Sequence, residues 1–422
     1  MFLLRSFQGL RQRSLSTTTT ARAQNPLLHF KHLPRFTEIN PSEHIKPAVT
    51  KSLADLATAF ENVEANLPTQ KNARDIYNLA VDDLERAAAP LSFSWGVTNH
   101  LMGVKNSPEL RESHETLQPL VINQIQHQSQ SAVVFEALQR CVSAPDFQDL
   151  EPAQQRIVAA SLQSMEHAGV GLPSADATRF NAIQQELGNL QTQFTNNVLD
   201  STKEFRMDFH STEGRKQLVG LPPTALALAS SMYTPTEEGE TNSTSTGAEH
   251  GPWTLTLDMT SLLPALQHLE NRDLREKLYR ASRAIASSPP FDNTPLVTKI
   301  LMLRQEMASM LGMNSYAEVS LATKMADSVE AVSDLSEMLR DRCLPAAKDE
   351  MKELQQYAAE EHGLNSQLEL WDVPFYSERL REHRFSFTDE DVRPYFALPN
   401  VLNGLFKLAT TLFEIHIVEQ QM

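Results

Sequence analysis

The chain has 422 residues, of which 41% are hydrophobic and 21% charged, and its formal net charge is −16. That length suits two or three domains with a large buried core. The acidic balance argues against a nucleic-acid surface, which needs clustered Lys and Arg, and no apolar run approaches the roughly 18–20 residues of a membrane span.

The first 24 residues differ from everything after them. They carry Arg5, Arg11, Arg13 and Arg22 among many Ser and Thr, with no acid before Glu38. Leu3, Phe7 and Leu10 would share one helical face beside the arginines, the form of an organellar transit peptide; a disordered cytosolic tail is the alternative. No apolar secretory core is present, so the sequon Asn242-Ser243-Thr244 is expected to stay unmodified.

Asn40-Pro41-Ser42-Glu43 supplies an N-cap, a proline at the first helical position and a capping-box glutamate. Ile45, Val49, Leu53, Leu56, Phe60, Val63 and Leu67 then recur at helical spacing until Pro68. Ser107-Pro108 opens another helix. The clearest stripe, Phe180, Ile183, Leu187, Leu190, Phe194 and Val198, predicts a helix from about Ser174 to Lys203. Residues 234–251 are acidic and rich in Ser, Thr and Gly, the composition of a flexible loop. Trp253, Leu255, Leu257 and Met259 alternate with polar residues and predict a half-buried strand. Thr294-Pro295 and Gly312 bracket a further helix. Asp327-Ser328-Val329-Glu330 reads as a second capping box, with Pro345 expected to kink or break the helix before Gly363 caps it. Leu412 to Val418 is apolar and β-branched enough to end as a strand. The fold class is therefore mainly α, with short strands near 253–259 and 412–418, and no repeat of 30–47 residues suggests a solenoid.

Candidate chemistry is sparse. None of the thirteen histidines is followed by another four residues on, so the zinc motif H-E-x-x-H is absent. His114-Glu115-Thr116-Leu117-Gln118 imitates its first half, but Gln118 replaces the second histidine, and an ordinary amphipathic helix face explains it. His29 and His32 lie beside Pro34 in a segment with no preformed scaffold. His362, next to Glu360 and Glu361, suits a helix C-terminus, where a cation is favoured. The pairs Asp82 with Asp83, Glu237 with Glu238 and Asp389 with Glu390 read as solvated faces. Cys141 and Cys343 stand far apart outside any C-x-x-C and read as buried structural thiols. No G-x-S-x-G, P-loop or G-x-G-x-x-G occurs. The aromatic groups Phe93 with Trp95, Trp371 with Phe375 and Tyr376, and Tyr395 with Phe396 read as core.

One set of blocks carries more. Trp371-Asp372, Tyr376-Ser377-Glu378-Arg379, Val392-Arg393-Pro394-Tyr395-Phe396 and Asn403-Gly404-Leu405-Phe406 resemble, in order and spacing, the zinc metallo-oligopeptidases of the thimet oligopeptidase family, in the branch of oligopeptidase A and the organellar oligopeptidase. Upstream blocks, among them Leu91 to Arg111, Asn197 to Phe205, Gly251 to Asp258, Asn271 to Ser282 and Asp292 to Ala326, extend the resemblance over residues 25–419. It implies a multi-helix fold whose walls enclose a channel for short peptides. The organisation it implies is a transit peptide at 1–24, an N-terminal helical domain at 25–210, a connecting segment at 211–251 and the start of a peptidase region at 252–422.

In that family zinc sits between the two motif histidines and a later glutamate, and activates water for attack on a peptide carbonyl. Since the motif is missing, no catalytic or metal residue is assigned here, and substrate-binding residues stay unknown. The resemblance implies one zinc ion and a monomer for the complete enzyme, with short peptides, including degraded transit peptides, as partners and no nucleic acid or membrane. It also implies the mitochondrial matrix, with plastid and cytoplasm as alternatives. The chain alone is expected to be inactive and truncated before the motif, with helices such as Leu402 to Leu412 exposing apolar surface. The competing reading is a non-catalytic helical peptide-binding or regulatory protein derived from the family.

Overall fold

The computed structural model describes residues 25–28, 36–234 and 247–418. The transit-peptide segment, His29 with His32, Glu237 with Glu238, the sequon and most of the acidic loop lie outside the described residues. The chain divides into two compact units, Met1–Gly171 and Leu172–Met422.

The first unit is helical throughout its described length. Asn40 caps its first helical turn, its side chain accepting from the amides of Ser42 and Glu43, with Pro41 at the first position. The Asn40 amide donates to His44 Nδ1 at 2.9 Å, so the acceptor role expected of Glu43 falls to the next residue. The helix Lys46–Asn66 follows and buries Val49, Leu56, Phe60 and Val63, the stripe its spacing predicts. One core gathers Ile45, Val49, Leu56, Leu91, Leu101 and Leu110 between this helix and the helices Leu84–Val104 and Pro108–Ser129. A second gathers Phe60, Ile76, Leu138, Cys141 and Val158 with the helices Ala132–Ser143 and Pro152–His167.

The second unit opens with the long helix Ser174–Glu204, which buries Phe180, Ile183 and Leu187 against Leu303 and Met307 of the helix Thr294–Met310. Each such side chain contributes about 1.5–3 kcal/mol before entropy is charged. Cover thins along the stripe, from buried Phe180, Ile183 and Leu187 through half-buried Leu190 and Phe194 to exposed Val198. Strand β1 (Arg206–Phe209) pairs antiparallel with β2 (Trp253–Thr256), Arg206 opposite Thr256 and Phe209 opposite Trp253. The alternation at Trp253 marks β2 correctly, although Met259 already begins the helix Met259–His268. The partner β1 carries no such signal. Its Arg206 and Asp208 form an ion pair at 2.9 Å, and Asp208 accepts from the Thr254 hydroxyl at 2.6 Å.

Two expectations are corrected. The strand at Leu412–Val418 does not form: the helix Leu398–Phe413 ends at Glu414 with φ 55°, and 414–418 has no regular structure. A strand needs a neighbour to take its amides and carbonyls, and none pairs with this segment among the described residues. Thr410 and Thr411 instead donate to the carbonyls of Phe406 and Lys407, which fits these β-branched residues to a helix. Pro345 does not break the helix Val329–His362, which runs 34 residues. The proline removes one amide donor, but Asp341, four residues earlier, is exposed, so its carbonyl can turn to water. Ser328 alone caps this helix through the Ala331 amide at 3.1 Å, and Gly363 closes it in the left-handed region at φ 67°.

Candidate functional site

The Trp371-Asp372 block takes its form from a buried ion network. Asp372 is fully buried. It accepts from Arg272 Nε at 2.9 Å and Nη2 at 2.6 Å, from Arg275 Nη2 at 3.0 Å and from the Glu369 amide at 3.1 Å. Arg272 and Arg275 begin the helix Arg272–Arg283, whose N-cap Asn271 accepts from the Leu274 amide. Arg275, also buried, donates to the carbonyls of Leu269 at 2.6 Å and Glu270 at 3.2 Å, and its guanidinium lies 4.1 Å from the centroid of the Phe375 ring. Burial pushes the Asp372 carboxyl up, but the bonds from Arg272, the Glu369 amide and Arg275 outweigh it and hold the group below the usual carboxylate range. Two blocks about a hundred residues apart in sequence thus interlock, and the network satisfies its own charges.

A second cluster lies where the helices Met259–His268 and Val373–Phe385 pack together. Arg379 Nη2 donates to His268 Nδ1 at 2.9 Å and to Glu382 at 3.1 Å. Glu378 holds Arg381 at 2.5 Å, and Arg381 also reaches Asp389 at 3.1 Å. Burial, followed by the Arg379 charge, lowers the His268 pKa, which agrees with Nδ1 accepting the hydrogen bond from Arg379. The bond from Arg381 lowers Glu378. Of these groups His268, Arg379, Glu382 and Asp389 border a cleft of about 510 Å³, which the start of the helix Pro223–Ser231 also lines. There the Thr224 hydroxyl donates to Glu390 at 2.7 Å and lowers that carboxyl, and Arg393 donates to the same carboxylate at 3.0 Å. Gly220 sits at φ +97°, and a Cβ there would fall 2.0 Å from the His268 carbonyl, so only glycine permits this approach.

His268, Glu378 and Glu382 could offer three metal ligands, with donor atoms all within 4.8 Å of one another. The set does not fit zinc. Tetrahedral bonds of about 2.0–2.2 Å bring ligand atoms to about 3.3–3.6 Å of one another, and here Arg379 already occupies the His268 lone pair and Glu382, while Arg381 neutralises Glu378. The cluster is a salt-bridged helix contact.

The residues singled out from sequence disperse. His114 is buried, stacks on Trp95 with centroids 4.7 Å apart and meets Asn99 Oδ1 at 2.9 Å, and burial lowers its pKa. It is a core histidine of the first unit. His362 closes its helix against the rings of Tyr357, Phe375 and Tyr376. Asp82 and Asp83 pair with Arg86 at the surface. Asp389 is exposed, as the solvated reading expects, although it reaches Arg381; Glu390 departs from that reading, since it is partly covered, borders the cleft and holds Arg393. Trp371, Phe375 and Tyr376 are core, whereas Tyr395 and Phe396 are exposed at 80% and 68%. Cys141 is buried and its thiol is pushed up to about 11 by burial, followed by the Asp146 charge; Cys343 is exposed, contrary to expectation. The reading from sequence missed the roles of Arg272, Arg275, His268 and Arg379, because each depends on a partner about 100 or more positions away.

Comparison with known proteins follows the same two portions of the chain. Residues 265–422 match the family described as Peptidase family M3, and residues 49–177 match the Neurolysin/Thimet oligopeptidase, N-terminal domain. The chain is 39% identical over 396 residues to organellar oligopeptidase A, chloroplastic/mitochondrial, of Arabidopsis thaliana, covering 94% of this chain and 48% of that protein. It is 38% identical over 397 residues to a probable cytosolic oligopeptidase A of the same plant (94% and 54%), and 35% identical over 402 residues to oligopeptidase A of Haemophilus influenzae (94% and 56%). The chain spans about half the length of the curated relatives it matches.

Proposed function

The chain belongs to peptidase family M3, and from that premise we propose that it supplies the amino-terminal and channel-wall portion of a zinc-dependent oligopeptidase, with the catalytic centre outside these 422 residues. One observation carries the reading: similarity to oligopeptidases A runs through 94% of the chain, yet the sequence holds no H-E-x-x-H, and the described residues that could hold a metal are tied up by arginine.

On this reading the chain hydrolyses no peptide unaided. On the family organisation residues 25–210 are the N-terminal domain and 252–422 begin the peptidase region, although the helix Ser174–Glu204 packs within the second compact unit. Short peptides, including fragments of transit peptides, are the substrates of the complete enzyme, and the compartment is the mitochondrial matrix. The arginine-rich start of the chain and the organellar relative support that location, while the cytosolic and bacterial relatives keep other compartments open. The residues described here serve to hold shape: the Asp372 network locks two helices, and the His268–Arg379 contact sets the wall of the cleft.

The test is the 3′ end of the transcript. A message that continues in frame to H-E-x-x-H supports the proposal. A stop after Met422 in independent transcripts would replace it with a non-catalytic peptide-binding protein derived from the family.

A further inference from the structure

The helices Ser174–Glu204 and Thr294–Met310 pack on one another, and cations along their seam meet acids. Arg179 pairs with Glu306 at 2.6 Å and Lys299 with Glu186 at 3.2 Å. Arg304 breaks that pattern. Its Nε is buried without a hydrogen-bond partner, its guanidinium lies 4.9 Å from the centroid of the Tyr316 ring, and among the described residues no carboxylate pairs with it. A buried donor without an acceptor is costly, so an anion bound there recovers what the fold leaves unused.

Beside Arg304 is a notch of about 290 Å³. Helical spacing builds it: Val297, Leu301 and Arg304 share one face of their helix, Gln191, Phe194 and Thr195 share the facing one, and Ile300 completes the apolar wall. The Thr195 hydroxyl is spent on the Gln191 carbonyl at 3.0 Å. The notch falls at the small end of the roughly 300–1,000 Å³ of ligand pockets, so it suits the end of a chain rather than a length of it.

We propose that this notch binds the carboxy-terminal residue of a short peptide, with the α-carboxylate on Arg304 and an apolar side chain against Phe194, Val297, Ile300 and Leu301. The chemistry of the wall selects this ligand. A phosphate calls for several converging donors, whereas here one guanidinium stands among apolar side chains, which suits a singly charged, otherwise apolar group. A peptide α-carboxylate is ionised above about pH 4 and can take two parallel bonds from a guanidinium. The choice of a peptide over another apolar carboxylate rests on the oligopeptidase reading; the lone cation and its apolar wall do not.

Isothermal titration of the 422-residue chain with the acetylated tripeptide Ac-Ala-Leu-Leu, as free acid and as carboxamide, tests it. The free acid should bind with a Kd on the order of 100 µM, and the carboxamide and hexanoate each about tenfold or more weakly. Arg304→Gln should weaken the free acid by a similar factor. That change also removes the Tyr316 contact, so Leu301→Glu is the second variant. Leu301 is 60% exposed, and a glutamate there stands one turn from Arg304 and competes for the cation. Leu301→Glu should weaken binding by about tenfold or more while thermal melts match the parent. No binding up to about 2 mM, equal affinity for acid and carboxamide, or binding unmoved by Leu301→Glu would overturn the site. Hexanoate binding as tightly as the tripeptide would overturn the choice of a peptide. None of these results decides whether the transcript continues to H-E-x-x-H, which tests the oligopeptidase reading by itself.

Discussion

Replacing Asp372 with alanine removes the acceptor for four donors at once: Nε and Nη2 of Arg272, Nη2 of Arg275 and the Glu369 amide. The Arg272 side chain is 39% exposed and can turn to water; that of Arg275 is 2% exposed and cannot. The consequence is a buried guanidinium without its counter-ion, and breaking a buried pair in this way costs about 3–5 kcal/mol. Arg272→Ala removes the exposed partner and leaves Asp372 paired with Arg275, so screening limits its cost to about 1 kcal/mol. Urea unfolding followed by tryptophan fluorescence reads the difference, because Trp253 and Trp371 lie in the second unit and Trp95 in the first. The two units can unfold separately, so the comparison is made on the transition reported by Trp371. A loss under about 1 kcal/mol for Asp372→Ala, or a larger loss for Arg272→Ala, would refute the reasoning.

The network and the histidines also fix the pH response. Asp372 is held below its ordinary range, so its contribution is present above about pH 4 and is lost as pH falls through the lower folded value. His268 and His114 are both lowered, so the unfolded chain binds more protons below about pH 6.5, and stability should fall as pH drops through that region. His268→Asn and His114→Asn should each flatten part of that slope in thermal melts between about pH 5 and 7; slopes identical to the parent would contradict the assignment. Iodoacetamide at about pH 8 should label Cys343 and spare Cys141, whose thiol is buried and protonated. Mass spectrometry showing two labelled thiols in the folded chain would count against the packing of the first unit.

Much of the fold is legible in the sequence wherever a helix buries one continuous stripe. The run from Ile45 to Leu67 and the first half of the run from Phe180 to Val198 pack as their spacing dictates, and Gly363 ends its helix because only the left-handed region lets the chain turn there. The errors share a cause: local pattern does not show what lies alongside. Apolar β-branched residues after Leu412 read as strand but have no strand beside them among the described residues, and Tyr395 and Phe396 read as core but are exposed. β1 is hidden because Arg206 and Asp208 find their partners only across the sheet. The candidate site was still less visible. Arg379 faces His268 across 111 positions, and no motif spacing could announce that contact. The absence of H-E-x-x-H is read directly from the sequence, because two histidines four apart on one helix face is a strictly local requirement.

The most direct measurement is made on the purified 422-residue chain loaded with zinc and washed free of excess. Metal content is determined by mass spectrometry, and hydrolysis of a fluorogenic short peptide is followed with and without a chelator. The account predicts no stoichiometric zinc and no chelator-sensitive turnover. One tightly held zinc per chain with chelator-sensitive hydrolysis would contradict it and return attention to His268, Glu378 and Glu382.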